Sequence, residues 1–262
     1  MNIVKIEPIY KALVQNVESV DKIGTSETTG VDGVNKSFKI TLDDGKSYLW
    51  KSRNGEHISS WRYIPAKTLY NREKAAYIVD RKLGFNMVPL VKVVTYKGDI
   101  GSLQRWVEDT SPSDATLKSY SDDDIWKAGL FDLIIGNCDR HSGNWLHKLG
   151  RPILIDHGFA FPNYAAEGDN KSLILSRFAV AIWDKHIPDL YLAKIDRLTD
   201  DNVITLLKKY LDTDSLKLMY ERIGIMLKTR KAAFPKYKVI KKLDKVPKNI
   251  IKSIETLLKK AI

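Results

Sequence analysis

The sequence predicts an α+β fold with a small β-rich lobe over residues 1–108 and a larger α-helical lobe over residues 109–262. The first part of the chain alternates apolar and polar residues as strands do, whereas helical spacing of apolar residues dominates from about Ser121. Between these parts, the stretch Glu108–Asp114 has the Ser, Pro and Asp content of a linker. We therefore place the lobe boundary near residues 108–121.

The composition is that of a globular protein, with 44% hydrophobic and 29% charged residues in a chain of 262. These values exclude a wholly disordered, collagen-like or disulfide-built chain. The single cysteine, Cys138, cannot form an internal disulfide, which predicts a reducing, cytoplasmic setting. We expect no transmembrane span, because apolar runs such as Leu130–Ile135 fall far short of the ~20 residues a span needs. We expect no secretory signal, because Met1–Pro8 has no apolar stretch after its lysine.

Most of the net charge of +11 lies in one C-terminal segment. Residues Lys228–Ile262 hold twelve Lys or Arg against two acidic residues, so the rest of the chain is close to neutral. This asymmetry predicts an acidic partner, which a nucleic acid, an anionic lipid or an acidic protein would supply. The alternative is a solvated lysine-rich face on a helix expected over Asn249–Ala261.

The strands of the first lobe are predicted mainly by alternation and by turn residues. The clearest is a hairpin over Ser37–Lys51 with its turn at Asp43-Asp44-Gly45. Further strands are expected at Ala12–Ile23, Val88–Thr95 and Ile100–Val107. A helix is expected over Asn71–Leu83, capped by Asn71 and stopped by Gly84.

In the second lobe, a helix from Asp122 to Gly136 opens with three acidic residues at the positive end of its dipole. The stretch Asn137–Leu149 is expected to be irregular, and Ile153–Ile155 to be a short strand. Helices are expected to fill most of the remainder, at Ser172–Trp183, Asp200–Leu211 and Ser215–Ala232.

Two short stretches in this lobe carry the chemistry. Residues 139–144 read Asp-Arg-His-Ser-Gly-Asn, and Asp156 closes an apolar strand before His157-Gly158. In protein kinases a catalytic-loop Asp precedes a metal-binding Asn by five positions, and a second Asp before X-Gly holds the metal ions. The spacing from Asp139 to Asn144 is also five, and the oxygens of Asn144 and Asp156 suit Mg²⁺. The pattern therefore favours phosphoryl transfer from ATP.

The N-terminal half supplies the other parts that this chemistry needs. Lys51 ends a strand, where a kinase places its phosphate-binding lysine, and Glu73 lies near the start of the next helix, where the partner of that lysine belongs. Taken alone, each would be an ordinary strand-end lysine or first-turn helix acid. The loop Gly24–Gly33, which includes Ser26, lies where backbone N–H groups would cover the phosphates.

The adenine ring is expected where the strand Ser102–Val107 runs into the linker. The candidate contacts there are Gln104, Trp106 and Val107. For Trp106, packing in the core fits the sequence as well as contact with adenine does.

These residues together resemble the phosphatidylinositol 3-/4-kinase-like group of atypical kinases, with a more distant likeness to HipA-type kinases. The resemblance covers about residues 37–162 and rests on six motifs, Trp50–Glu56, Arg72–Tyr77, Leu83–Pro89, Gly101–Gln104, Asp139–Trp145 and Ile155–Gly158. It implies a bilobal protein-kinase-like fold that uses ATP with Mg²⁺ or Mn²⁺. It also implies the roles of the site residues: Asp139 as the catalytic aspartate, Asn144 and Asp156 as metal ligands, Lys51 as the phosphate contact and Glu73 as the partner of that lysine.

The chain departs from ordinary protein kinases in three ways. It has no Gly-x-Gly-x-x-Gly loop and no Ala-Pro-Glu after Asp156, and His157 replaces the usual Phe. These departures argue against conventional control by an activation segment. His141, a second candidate catalytic residue, either orients the loop, contacts phosphate or makes a structural hydrogen bond. A zinc cluster of Cys138 with nearby histidines is disfavoured, because a single thiol lacks the usual ligand spacing.

The leading interpretation is a kinase that phosphorylates a hydroxyl, with a protein Ser or Thr as the favoured acceptor. A phosphoinositide kinase is the first alternative. Against it, the stretch Phe159–Lys171 carries two acidic residues and one lysine, whereas a segment that selects an anionic inositol phosphate should be basic. The second alternative is a catalytically silent nucleotide-binding module whose basic segment binds nucleic acid or another partner.

Overall fold

A computed structural model of the chain describes residues 17–23, 37–42, 45–56, 64–108, 110, 116–163, 174 and 176–233. An antiparallel sheet is followed by a mainly helical part, which confirms the α+β fold class. The loop Gly24–Gly33 with Ser26, and the helix expected at Asn249–Ala261, lie outside the described residues. The lobe boundary near residue 108 stays a prediction.

The sheet has five strands in the order β1-β2-β3-β5-β4, and every neighbouring pair is antiparallel. The strands are β1 (Val17–Ile23), β2 (Ser37–Leu42), β3 (Ser47–Ser52), β4 (Val91–Tyr96) and β5 (Asp99–Arg105).

Two tight hairpins build this sheet. The β2–β3 hairpin has the predicted position, and Gly45 adopts φ +72° in its turn, a conformation that glycine tolerates well. The β4–β5 hairpin turns through Lys97 and Gly98, both with positive φ. Strand β4 begins later than predicted, because the backbone N–H of Val88 donates to the Asp80 carboxylate and not to the sheet.

Helix α1 (Leu69–Leu83) lies between β3 and β4 in the chain. It ends at Gly84 with φ +67°, as predicted. The prediction that Asn71 caps the helix is wrong, since the helix begins two residues earlier with Thr68 at the N-cap position. Thr68 makes no side-chain capping bond. Instead, the backbone N–H of Tyr70 donates to the carboxylate of Glu56, at 3.2 Å.

The second part contains five further helices and a two-stranded sheet within the described ranges. These elements are α2 (Asp122–Ile135), β6 (Trp145–Lys148), β7 (Arg151–Leu154), α3 (Arg177–Ile182), α4 (Asp189–Asp196), α5 (Asp201–Leu207) and α6 (Thr213–Thr229). Short 3₁₀ turns lie at Leu117–Ser119, Ser142–Asn144 and Arg197–Thr199.

The predicted helix α2 is confirmed, with Ser121 as its N-cap and Gly136 as its left-handed C-cap. The stretch after it is less irregular than predicted, because β6 pairs with β7. Helix α4 was not predicted, and α3 is shorter than the segment expected to be helical there.

Buried apolar residues form two clusters. The smaller lies in the sheet and includes Ile40, Trp50 and Leu103. The larger joins α1, through residues such as Val79, to the helices of the second part. Helix α1 therefore fixes the sheet relative to the helical part. Among the described residues, no helix combines the length and apolarity that crossing a bilayer requires.

Candidate active site

An ionic cluster lies where the sheet, α1 and the segment after β7 meet. The ammonium group of Lys51, on β3, is 2.7 Å from Oε1 of Glu73 on α1 and 3.0 Å from Oδ1 of Asp156. Glu73 is fully enclosed, whereas the side chain of Asp156 keeps 46% of its surface exposed. The structure thus brings three predicted site residues together, although 105 positions of sequence separate Lys51 from Asp156.

Opposite charges in this cluster hold each other in the ionised state. Burial alone lowers the pKa of Lys51, but the carboxylates of Asp156 and Glu73 outweigh it, so the pKa is raised. Burial likewise raises the pKa of Glu73, but Lys51 and His157 outweigh it and the pKa is lowered. Lys51 is therefore a fixed cation, and Glu73 a fixed anion, at neutral pH.

Asp156 has an unusual backbone conformation, with φ +57°. For a residue other than glycine this conformation is sparsely populated and tends to occur at functional sites. It turns the chain sharply after β7, and the backbone N–H of Ile155 donates to the Asn144 carbonyl at 3.1 Å. Asp156 is thereby held beside the Ser142–Asn144 turn.

Within the predicted catalytic loop, the side-chain amide of Asn144 bonds back to Asp139. The side-chain nitrogen of Asn144 donates to the Asp139 carbonyl at 2.6 Å and lies 3.4 Å from Asp139 Oδ2. Asn144 is buried, whereas Asp139 is partly exposed. The five-residue spacing in the sequence therefore becomes direct contact between the two side chains.

Arg140 holds this loop from inside the protein. Its side chain is fully buried and pairs with Asp132 of α2 at 3.1 Å. It also donates to the carbonyl of Ile155 at 2.6 Å and to that of Asn144. One guanidinium thus connects α2 to the two segments that carry Asn144 and Asp156. The sequence signal for this contact was an acid inside the apolar run of α2, and the sequence reading missed it.

His141 makes a local contact. Its Nδ1 accepts a hydrogen bond from the backbone N–H of Gly143 at 3.0 Å, and its Nε2 is 3.9 Å from Asp139 Oδ2. The side chain is 62% exposed. His141 thus makes a hydrogen bond within the loop, while its roles in orienting the loop and in contacting a phosphate stay predictions.

The donor set of Asn144 and Asp156 fits a hard divalent cation. The Asn144 amide donates through its nitrogen, and no described residue donates to its Oδ1. One Asp156 oxygen accepts from Lys51, and the other has no partner within the described ranges. Two oxygens are thus available for Mg²⁺ or Mn²⁺, which share carboxylate and amide ligands with substrate phosphates. No group of three His, Cys, Asp or Glu side chains suited to a metal ion occurs among the described residues.

The three residues expected near adenine lie at the end of β5. Gln104 is buried, and its Nε2 has no hydrogen-bond partner among the described residues. Trp106 is half-buried outside both apolar clusters, with the Lys39 ammonium 4.9 Å from its ring centroid. The backbone N–H and C=O of Val107 have no hydrogen-bond partner in the part of the chain that the structure describes.

A small cleft opens beside the ionic cluster. It is lined by Lys51, Ser52, Glu56, Leu69, Tyr70, Glu73, Asp156, Gly158 and Phe159. Glu56 belongs to a motif noted in the sequence, but no role was predicted for it. Its carboxylate caps α1, and its Oε2 is buried without a hydrogen-bond partner in the described structure.

Comparisons with known proteins agree with this geometry. The family model "Phosphatidylinositol 3- and 4-kinase" matches residues 64–173, which confirms the resemblance to this family over that region. Phosphatidylinositol 4-kinase gamma 4 of Arabidopsis thaliana is 25% identical over 205 residues, which cover 60% of the present chain. The chain spans about a third (36%) of that relative.

Two solved structures share the fold. A Golgi casein kinase, crystallised with Mn and ADP, superposes with a TM-score of 0.53 at 14% sequence identity. The match covers 88% of this chain and 77% of the casein kinase chain. A hydra Fam20 protein, solved with a sugar, superposes with a TM-score of 0.51 at 18% sequence identity. The match covers 95% of this chain and 92% of the Fam20 chain. The fold is therefore kinase-like. The more distant likeness to HipA-type kinases stays a prediction.

Proposed function

We propose that the chain is an ATP-dependent phosphotransferase that transfers the γ-phosphoryl group to a hydroxyl, with a protein Ser or Thr as the favoured acceptor. The observation that carries this proposal is the contact of Lys51 with both Glu73 and Asp156, beside a loop in which Asn144 contacts Asp139. Phosphoryl transfer requires these parts: a cation for the phosphates, metal ligands, and a carboxylate for the attacking hydroxyl.

Each residue has a defined task in this mechanism. Lys51, kept ionised by its two carboxylates, binds the phosphates of ATP, and Glu73 keeps the ammonium group in place. Asp139 orients the acceptor hydroxyl and accepts its proton as the oxygen bonds to the γ-phosphorus and the bond to the β–γ bridging oxygen breaks. Asn144 and Asp156 would hold Mg²⁺ or Mn²⁺, which neutralises charge on the phosphates.

The adenine is proposed to bind at Gln104, Trp106 and Val107. The N–H and C=O of Val107, which have no partner among the described residues, are the kind of backbone groups that can pair with the edge of a purine, and the half-buried ring of Trp106 is a candidate for stacking on it.

The test is the transfer of label from γ-labelled ATP with Mg²⁺ or Mn²⁺. Three acceptor preparations are compared: the protein alone, a protein extract, and vesicles that contain phosphatidylinositol. We expect label on protein Ser or Thr. Asp139→Asn should remove that label, whereas substitution of the exposed Asp196→Asn should not. Absence of label from all three acceptors would contradict the proposal.

A phosphoinositide is the second candidate acceptor, and the family match and the named plant relative favour it. The sequence argues against it, because Phe159–Lys171 has more acidic than basic residues. Label on the vesicles and not on protein would establish the lipid as the acceptor and leave the phosphotransferase proposal intact.

A further inference from the structure

His157 occupies the position where ordinary protein kinases have Phe, and its side chain is completely buried. Its ring packs edge-to-face on Phe131, with centroids 5.5 Å apart. A phenylalanine would make the same apolar contact. Packing therefore does not explain why this position carries an imidazole.

The imidazole and the backbone of His157 both bind one oxygen of Glu73. The His157 backbone N–H donates to Oε2 of Glu73 at 3.0 Å, and Nδ1 lies 3.3 Å from the same oxygen. The other oxygen of Glu73, Oε1, is the one that accepts from Lys51. The two oxygens of this buried carboxylate thus have separate partners, one on the sheet and one next to Asp156.

The chemistry of the pair fixes the tautomer of His157. An ionised carboxylate only accepts hydrogen bonds, so Nδ1 must carry the hydrogen. Its Nε2 is buried and has no hydrogen-bond partner among the described residues.

We infer that His157 is a positioning residue that holds Glu73, and through it Lys51, in the arrangement that binds phosphate. This inference rests on the proposed function. The residue after Asp156 thereby supplies Glu73 with a second anchor beside Lys51. The metal-bearing segment and helix α1 are then connected through the side chain of His157.

Two substitutions separate the hydrogen bond from the packing. His157→Phe keeps an aromatic ring against Phe131 but removes the side-chain donor. His157→Asn removes the ring but keeps a donor near the position of Nδ1. His157→Leu repeats the first comparison if the Phe variant does not fold. The exposed His186→Phe is the matched control, since the described contact of His186 is a backbone bridge to Lys231.

The readouts are hydrogen exchange at the amide of residue 157 and across Leu69–Leu83, and the kcat and KM for ATP. We expect His157→Phe to speed exchange at both places and to lower kcat about tenfold or more, as the loss of an outer-shell partner does. His157→Asn should melt at a lower temperature, yet keep the protection of amide 157 and stay within about threefold of the wild-type kcat, because the donor survives.

Wild-type exchange in His157→Phe, or equal loss of protection in the Phe and Asn variants, would overturn the inference, because His157 would then be a packing residue only. If wild-type protein labels no acceptor, the proposed function fails. The exchange comparison still decides whether His157 holds Glu73, so the two failures are distinguishable.

Discussion

Lys51 and Glu73 form a buried ion pair, so the loss of Lys51 leaves the enclosed carboxylate of Glu73 without its counter-charge. Replacement of Lys51 by Met should destabilise the protein by about 3 kcal/mol at neutral pH, because an unpaired buried carboxylate is costly. Lys51→Arg keeps the charge and should retain most of the stability.

The cost of Lys51→Met should depend on pH. In the wild type the pKa of Glu73 is lowered, so its contribution to stability is fully present above the ordinary Glu value of 4.5. In Lys51→Met the pKa of the buried Glu73 carboxyl should rise above 4.5. The free energy of unfolding of this variant should therefore fall as pH increases above 4.5. Urea unfolding at about pH 5 and about pH 8 should show the larger difference from wild type at the higher pH. An equal difference at both would contradict the ion pair.

At Asp156, loss of the carboxylate should abolish metal-dependent phosphoryl transfer while the fold survives. Asp156→Ala and Asp156→Asn should each lower kcat at least about 100-fold, as removal of a transition-state charge contact does. Asn is the better variant, since it tolerates the positive φ of this position. Asp184→Asn is the matched control, because Asp184 has φ +58° and is exposed. Near-normal turnover in a folded Asp156→Asn protein would refute the metal assignment.

At the residue scale, spacing predicted most of the candidate site. The five-position spacing predicted Asp139 and Asn144, whose side chains are in contact. The end of an apolar strand predicted Asp156, which lies beside the segment of Asn144. The partners that hold them were not predicted. The signal for the Arg140–Asp132 pair, an acid inside the apolar run of α2, was missed, and Glu73 and His157 lie 84 positions apart. The contact between Glu73 and His157 depends on tertiary packing and leaves no local pattern.

At the scale of elements, helix α1 determines the position of Glu73, and its N-terminus is capped from outside the helix. The carboxylate of Glu56 receives the Tyr70 N–H, while the hydroxyl of Thr68 donates to the Pro65 carbonyl. The sequence predicted Asn71 as the cap because a local Asn is a common signal, whereas a cap from a distant residue has no such signal.

Glu56→Ala should therefore destabilise the protein by about 1 kcal/mol and loosen the first turn of α1. Glu56→Gln should cost less, because its carbonyl oxygen still accepts from Tyr70. Thermal melting and hydrogen exchange over Leu69–Glu73 would measure this, with the exposed Glu108→Ala as the control for stability. If Glu56→Ala and Glu108→Ala melt alike, the cap assignment is wrong.

Strands and helices differed in how well the sequence predicted them. The β2–β3 hairpin and α2 have strong local signals, an Asp-Gly turn and a Ser cap followed by acids, and both were predicted. Strand β6 was missed because its four residues show no clear alternation of apolar and polar residues. Only the hydrogen bonds to β7 identify it as a strand. Helix α4 has eight residues, which is too short for a clear periodic signal.

At the scale of the whole molecule, nearly all of the net charge lies beyond the described helices. Of the segment Lys228–Ile262, the structure describes residues 228–233. We predict that this segment recruits an acidic partner and takes no part in the chemistry.

Four lysines test that division of roles, Lys248, Lys252, Lys259 and Lys260. Their replacement by Gln should leave turnover on a small peptide unchanged and weaken partner binding most at low salt, by up to about 1 kcal/mol for each lysine. A loss of peptide turnover would instead place the segment in the active site.

The central claim is that ATP binds between the sheet and the helical part, at the cluster formed by Lys51, Glu73 and Asp156. The most direct test is a crystal structure of the protein with a non-hydrolysable ATP analogue and Mn²⁺, with the ion located by anomalous scattering. We predict phosphates at Lys51, the ion at Asn144 and Asp156, and adenine against Gln104–Val107. Nucleotide bound elsewhere, or no binding at millimolar concentration, would contradict the account.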